Sequence, residues 1–202
     1  MKRVGICTLH DANPNFGATL QAFSLQEVIK SMGHDVEFLK FKEPKITKKR
    51  EKKLKLKKCY SNSKFSPIDT SKIVINSKIQ ESNRHLNISE EIYNPEKHQY
   101  DSIIIGSDEL WNLRNTSFIH QKEYYGHGLN CDNVFTYAPS ANGTNKKLFD
   151  EYFNNEITLE NIKNFSARDR GTLGFIKEVA GIDAELVLDP TLLIEDFDKY
   201  AV

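Results

Sequence analysis

The chain has 202 residues, which is long enough to bury a core in one large domain or two small ones. Its composition, with 39% hydrophobic and 28% charged residues, is that of a globular protein and excludes a disordered chain. The 28 basic and 28 acidic residues cancel, so no overall field favours nucleic acid as a partner. The sequence has no run of about 18 apolar residues, so we expect no transmembrane helix, and its N-terminus does not resemble a signal peptide.

The cysteine pattern favours a reducing compartment. Cys7, Cys59 and Cys131 are far apart and odd in number, with neither the spacing of metal ligands nor that of a disulfide framework. We therefore expect free thiols, no metal site and a cytoplasmic location.

The N-terminal region predicts a β-α-β unit. The run "RVGICTL", residues 3–9, is apolar and suits a buried strand, and "DVEFLKF", residues 35–41, predicts a second strand. Between them, apolar residues recur at spacings of four and three, which predicts a helix from Gly17 to Met32 that ends before Gly33. The predicted apolar face of this helix consists of Ala18, Ala22, Leu25, Ile29 and Met32.

Residues 43–67 are a break in composition that we interpret as a basic insertion. Basic residues dominate from Lys45 to Lys58, so this segment is not a core element. It is either a solvated insertion or a contact with an anionic surface, such as a membrane or a lipid-phosphate acceptor. Weak periodicity from residue 73 to residue 94 predicts a helix.

The rest of the chain alternates between strand and helix patterns. Strands are predicted at "SIIIG" (102–106), "NVFTYAPS" (133–140, ending at Pro139), "KNFSARD" (163–169, ending near Arg168) and "AELVLDPTLL" (184–193, stopped by Asp189-Pro190). The run "RGTLGFIKEVAG", residues 170–181, predicts a helix that closes on Gly181. This alternation favours parallel pairing, and hence a doubly wound, mostly parallel, Rossmann-like α/β sheet.

Small, polar or charged residues follow each predicted strand directly. The clusters are "HDANPNFGA" (10–18), "GSDELW" (106–111), "PSANG" (139–143), "RDRG" (168–171) and "DPT" (189–191). The carboxyl ends of parallel strands lie at one edge of a sheet, and ligands bind in the crevice outside that edge. The sequence therefore predicts that these segments converge on one ligand site.

The first two clusters offer several candidates. Gly17 begins a helix, where free N–H groups and the helix dipole favour an anion, and Asn15 either caps that helix or contacts ligand. Gly106 allows close approach of a ligand. Ser107 and Asp108 either cap a short helix or bind ligand, and Trp111 is either a core residue or a wall of the site.

The remaining candidates carry charge. Arg168 suits bidentate binding of a phosphate or carboxylate, and the alternative is a salt bridge with Asp169 or another carboxylate. Asp189 before Pro190 predicts a turn. His10 beside Asp11 fits an acid–base pair, with a structural role as the alternative.

Taken in order, five segments resemble the motifs of the polysaccharide pyruvyl transferase family. They are "NFGATLQAFSLQ" (15–26), "YDSIIIGSDELWN" (100–112), "YAPS" (137–140), "SARD" (166–169) and "VLDPTLL" (187–193). The resemblance implies a two-lobed fold like that of GT-B glycosyltransferases. Because family members continue into a second lobe of similar size, we expect residues 1–202 to be the N-terminal lobe, with the C-terminal lobe absent.

The resemblance also implies an activity and its residues. The enolpyruvyl group of phosphoenolpyruvate would be transferred to two hydroxyls of a glycan or lipid-linked sugar, giving a pyruvate ketal with no further cofactor. Arg168 would contact the donor, Asp169 beside it would also bind substrate, and either Asp108 or His10 would transfer a proton. The cleft would be lined by Asn15, Gly17, Ser107, Asp108 and Ser140. An enzyme of this kind would work in the cytoplasm, peripherally at the inner face of the membrane.

Two other functions fit the same features. One is a GT-B glycosyltransferase that uses a nucleotide sugar, since the sheet edge and the glycine turn would serve that donor too. The other is a non-catalytic lobe that binds a glycan or a partner protein.

Overall fold

The structure is a computed structural model that describes residues 1–9, 15–42, 81, 83–115, 120–196 and 199. Its strands are β1 (Arg3–Cys7), β2 (Asp35–Lys40), β3 (Ile88–Ile92), β4 (Ser102–Ile105), β5 (Val134–Thr136), β6 (Ser166–Ala167) and β7 (Glu185–Leu186). Its α-helices are α1 (Phe16–Ser31), α2 (Lys146–Phe153) and α3 (Arg170–Ala180). The basic insertion, including Lys45–Lys58, and Cys59 lie outside the described residues.

The strands form a parallel sheet with a change of direction in its order. Five strands are paired in the order β3-β2-β1-β4-β5, and β6 pairs with β7; every pair is parallel. A bridge between Phe135 and Asn164 joins the two groups. The predicted doubly wound, Rossmann-like fold is therefore confirmed. The order reverses between β1 and β4, which is where ligands bind in open parallel sheets.

Both faces of the sheet are covered. Ile103 and Ile105 of β4 belong to one core cluster, whereas Ile104 between them belongs to the other, because successive side chains of a strand point to opposite faces. Leu25 of α1 lies in the second cluster and Phe175 of α3 in the first. In the described part of the chain, no helix is long and apolar enough to span a membrane.

Helix α1 agrees with the sequence to within one residue at each end. The Asn15 side chain caps it by accepting a hydrogen bond from the Gly17 N–H at 3.0 Å, and Gly33 follows its end with φ +83°. Of its predicted apolar face, Ala22, Leu25 and Ile29 are buried. Met32 is an exception: it is 65% exposed, because the helix ends at Ser31 and the Met32 side chain lies beyond the last packed turn.

The predicted helix over residues 73–94 agrees with the structure at Glu81, which is helical, but is wrong from residue 83 onward. Asn83–His85 is a short 3-10 helix and is followed by β3, while residues 73–80 and 82 lie outside the described residues. Strand β3 forms the edge of the sheet, and Ser89 is its only buried residue. Its sequence, ISEEI, lacks the apolar run that is typical of a central strand, which is why the sequence did not predict it.

The last three strands are shorter than the sequence predicts. Strands β5, β6 and β7 have three, two and two residues, and Pro190–Leu192 forms a 3-10 helix where the last strand was expected to continue. Helix α3 closes on Gly181 as predicted. Helix α2 was not predicted, because Phe149 is the only buried residue in its eight.

Candidate functional site

The turn after β4 passes very close to the chain that follows β5. Gly106 has φ +126°, and a Cβ at this position would lie 2.1 Å from the carbonyl oxygen of Tyr137. The peptide bond between Gly106 and Ser107 is cis. Only glycine fits at this position. The Gly106–Asp108 turn follows β4 directly and therefore lies at the carboxyl edge of the sheet.

A buried ring of hydrogen bonds holds this turn to β1 and α1. The Thr8 hydroxyl donates to the Ser107 carbonyl oxygen at 3.0 Å. The Gln21 amide donates from Nε2 to Thr8 Oγ1 at 3.2 Å, and its Oε1 accepts a hydrogen bond from the Ser107 hydroxyl. All three side chains are buried, so the ring is shielded from water.

Asp108 connects the turn to the segment after β5. Its carbonyl oxygen accepts a hydrogen bond from the Ser140 N–H at 2.8 Å, and its carboxylate accepts one from the Glu109 N–H at 2.7 Å. The residue has φ +83°, a conformation that aspartate and asparagine tolerate better than most residues. The predicted juxtaposition of the clusters after β4 and β5 is thus present.

Arg168, directly after β6, joins two carboxylates from other segments. Its Nη1 lies 2.7 Å from Asp189 Oδ2, and its Nη2 lies 3.8 Å from Asp108 Oδ1. The arginine side chain is only partly buried at the sheet edge, with 26% of its surface exposed. The predicted alternative of a salt bridge is therefore present, although its partners are not the neighbouring Asp169.

The two carboxylates have different proton affinities. Burial raises the pKa of Asp108 despite the nearby Arg168 guanidinium. Burial also pushes up the pKa of Asp189, but hydrogen bonds from Thr191 and Arg168 outweigh it and lower that pKa overall. Asp108 thus holds its proton more strongly than an ordinary aspartate, whereas Asp189 stays ionised. This difference suits Asp108 to act as an acid and Asp189 to act as the charge partner of Arg168.

Asp189 also fixes its own turn, as predicted. Its Oδ1 accepts hydrogen bonds from the Thr191 N–H at 3.1 Å and the Thr191 hydroxyl at 2.8 Å. The 3-10 helix Pro190–Leu192 that follows packs against α1. The segments after β4, β5, β6 and β7 therefore meet at one edge beside α1, whereas His10 and Asp11 lie outside the described residues.

Trp111 is part of the core and not a wall of the site. Its side chain is 0% exposed, and its indole N–H donates to the Tyr124 carbonyl oxygen at 2.7 Å. Its ring packs against Tyr125 and Phe175 at centroid distances of 6.0 and 5.7 Å. The functional interpretation of Trp111 is therefore corrected: a large aromatic residue with a satisfied N–H is used here for packing.

Asp169 and Asn15 are occupied as helix caps. The Asp169 carboxylate accepts hydrogen bonds from the Thr172 N–H at 2.8 Å and the Thr172 hydroxyl at 2.9 Å, at the start of α3. Asn15 caps α1, and both Asn15 and Gly17 are exposed at the same edge. Among the residues that the structure describes, no group of three His, Cys, Asp or Glu side chains is placed to hold a metal ion.

Sequence reasoning missed three polar residues at this edge, Thr8, Gln21 and Tyr137. The Tyr137 hydroxyl donates to the Leu188 carbonyl oxygen at 3.1 Å, and burial together with the Asp189 charge raises its pKa. The role of Gln21 at this edge could have been inferred from its position in the sequence. Gln21 lies three residues after Ala18 and four before Leu25, so helical spacing places a polar amide beside the apolar face of α1.

Comparison with known proteins identifies the family through its sequence profile. No curated protein and no solved structure shows significant similarity to the chain. The profile of the family described as polysaccharide pyruvyl transferase matches residues 15–202, which include every described site residue except Thr8. The chain therefore belongs to the polysaccharide pyruvyl transferase family.

Proposed function

We propose that the edge around Arg168 binds phosphoenolpyruvate and transfers its enolpyruvyl group to two hydroxyls of a sugar, forming a pyruvate ketal. The family consists of transferases that act on polysaccharides, which supports pyruvyl transfer to a glycan. The observation that carries the proposal is the partly exposed Arg168 side chain, whose guanidinium lies between Asp108 and Asp189.

The proposed reaction requires a cation and an acid. The methylene carbon of the donor gains a proton and becomes a methyl group, and C2 forms bonds to two sugar oxygens. The bond between C2 and the phosphate oxygen breaks. The two sugar hydroxyls lose two protons in all, which balance the proton gained by the methylene carbon and one that leaves with inorganic phosphate. An arginine binds the phosphate or carboxylate of the donor through paired N–H groups, and it stabilises charge as the phosphate departs. A protonated carboxyl group close to the donor would supply the proton.

Asp108 fits the acid, and Arg168 fits the anion contact. Burial raises the pKa of Asp108, which increases its protonated fraction near neutral pH. Its Oδ1 lies 3.8 Å from Arg168 Nη2, so an anion bound by the arginine would lie beside the carboxyl group. The donor would take over contacts that Asp189 now makes with the guanidinium. His10 remains the second candidate for the acid.

The other residues of the cleft are proposed from their positions at the edge of the sheet. Asn15 and Gly17 are exposed at the same edge and would line the cleft. Ser107 and Ser140 were predicted to line it too, but both are buried, so they would support the Asp108 turn from behind and not contact substrate. The cleft would be completed by a second lobe in a GT-B-like arrangement. The acceptor would be a glycan or a lipid-linked sugar at the cytoplasmic face of a membrane, with the basic segment Lys45–Lys58 contacting the anionic surface.

Replacing Arg168 tests the proposal. We expect Arg168→Ala to lower kcat/KM for phosphoenolpyruvate by about 100-fold or more, because it removes the donor's main cationic contact. Arg168→Lys should recover only part of this loss, since lysine lacks the planar guanidinium group with its paired N–H donors. The matched control is Arg170→Ala, which removes an exposed arginine two residues away and should change kcat/KM by less than about 3-fold. Full turnover by Arg168→Ala would refute the proposal that Arg168 binds the donor.

A further inference from the structure

Gln21 lies in α1 and makes three hydrogen bonds, although it belongs to neither an apolar cluster nor an ion pair. Its side chain is 2% exposed. The Nε2 group donates to Thr8 Oγ1 at 3.2 Å and to the Ala18 carbonyl oxygen at 2.8 Å, while Oε1 accepts from the Ser107 hydroxyl. A buried amide satisfied on both sides is costly to replace.

The direction of each hydrogen bond explains why an amide side chain suits this position. The Thr8 hydroxyl gives its hydrogen to the Ser107 carbonyl, so its oxygen has only lone pairs to offer Gln21. The Ser107 hydroxyl, in contrast, requires an acceptor. Glutamine supplies both a donor and an acceptor from one planar group, whereas a carboxylate or a thioether supplies no donor.

The ring holds Ser107 at two points, its backbone carbonyl and its hydroxyl. Asp108 follows directly, and its own carbonyl oxygen is tied to the Ser140 N–H at 2.8 Å. A rotation of Ser107 would therefore carry the Asp108 carboxyl group away from Arg168. Because the ring is buried, water cannot substitute for a lost bond without entering the core.

From these contacts we infer that Gln21 is a positioning residue. Its amide fixes the Gly106–Asp108 turn from α1 and so sets the place of the Asp108 carboxyl group, without contacting the substrate itself. The role in catalysis rests on the proposed function. The effect on the turn does not, and it can be measured without turnover.

Helix α1 provides a matched control in Gln26. This second glutamine is 0% exposed and also bridges to another segment, donating to the His85 carbonyl oxygen at 2.9 Å and accepting from the Asn87 N–H at 2.7 Å. Its partners directly precede β3, which lies three places from β4 in the order of the sheet. Gln21→Met and Gln26→Met thus remove equivalent buried amides from one helix.

The first readout is hydrogen exchange of the Ser140 amide, which donates to Asp108. We expect Gln21→Met to speed this exchange by about 10-fold or more, measured relative to global unfolding, and Gln26→Met to change it by less than about 2-fold. Equal effects of the two variants would overturn the inference, whether or not phosphoenolpyruvate is the donor.

The second readout is kinetic. If the wild type turns over phosphoenolpyruvate, Gln21→Met should lower kcat by about 10-fold or more with little change in KM, because the acid is displaced while the Arg168 contact remains. Unchanged kcat in Gln21→Met would overturn the catalytic role and leave the proposed function standing. A wild type without turnover would count against the proposed function alone.

Thr8 gives a second route to the same test in case Gln21→Met does not fold. Thr8→Ser keeps the hydroxyl and should retain slow exchange of the Ser140 amide. Thr8→Val keeps the shape, loses the hydroxyl and should reproduce the fast exchange expected for Gln21→Met. If Thr8→Val exchanged as slowly as Thr8→Ser, the ring would not hold the turn and the inference would fail.

Discussion

Asp108 is a residue at which stability and the proposed activity oppose each other. Its folded pKa is raised by burial, so its favourable contribution is present at low pH and is lost as the pH rises through that folded pKa. At pH 7 the buried charge is therefore unfavourable. Asparagine tolerates the positive φ of this position and keeps an oxygen for the Glu109 N–H.

We expect Asp108→Asn to be at least as stable as the wild type at pH 7 and to lose about 100-fold or more in kcat, since it cannot donate the proton. Urea unfolding and steady-state kinetics measure the two effects. Full activity in Asp108→Asn would remove Asp108 as the acid and leave His10 as the candidate. A lower stability at pH 7 would contradict the electrostatic account of the residue.

Gly106 is the glycine with the least space for a side chain. Gly106→Ala would place a Cβ against the Tyr137 carbonyl oxygen, so we expect a loss of roughly 2 to 5 kcal/mol in the free energy of unfolding. Gly181→Ala is the control, because it also has a positive φ but nothing within 4 Å, and should cost only about 1 to 2 kcal/mol. Similar losses for both variants would show that the close approach is not what requires glycine.

At the level of secondary structure, the Asp169 carboxylate is a helix cap. We expect Asp169→Ala to lower the free energy of unfolding by about 1 kcal/mol, because the Thr172 N–H at the start of α3 loses its acceptor. Asp169→Asn keeps a capping oxygen and should be close to the wild type in stability and turnover. A large loss of turnover in Asp169→Asn, with stability intact, would instead indicate contact with substrate.

The helices with strong local signals were predictable, and the short strands were not. Helices α1 and α3 carry their own capping residues and closing glycines, so sequence located them closely. Strands β6 and β7 have two residues each, and both residues of β7 are exposed, so tertiary pairing determines these strands more than composition does. Edge strand β3 was missed for the same reason.

At the level of the whole molecule, the convergence of the segments after the strands was predictable, because parallel strands end at one edge. The individual partners were not. Arg168 pairs with Asp189, 21 residues further on, while the adjacent Asp169 turns away to cap α3. Sequence showed that an arginine and several carboxylates would meet, but only the fold determines which oxygen faces which nitrogen.

The central claim, that Arg168 anchors phosphoenolpyruvate, is tested most directly by thermal unfolding with added ligand. Phosphoenolpyruvate at 100 times its Kd should stabilise the wild type by roughly 2.7 kcal/mol, or about 5 to 10 °C in Tm. We predict this shift for the wild type and for Arg170→Ala, no shift for Arg168→Ala, and no shift with a nucleotide diphosphate sugar. An equal shift in Arg168→Ala, or a shift only with the nucleotide sugar, would contradict the account.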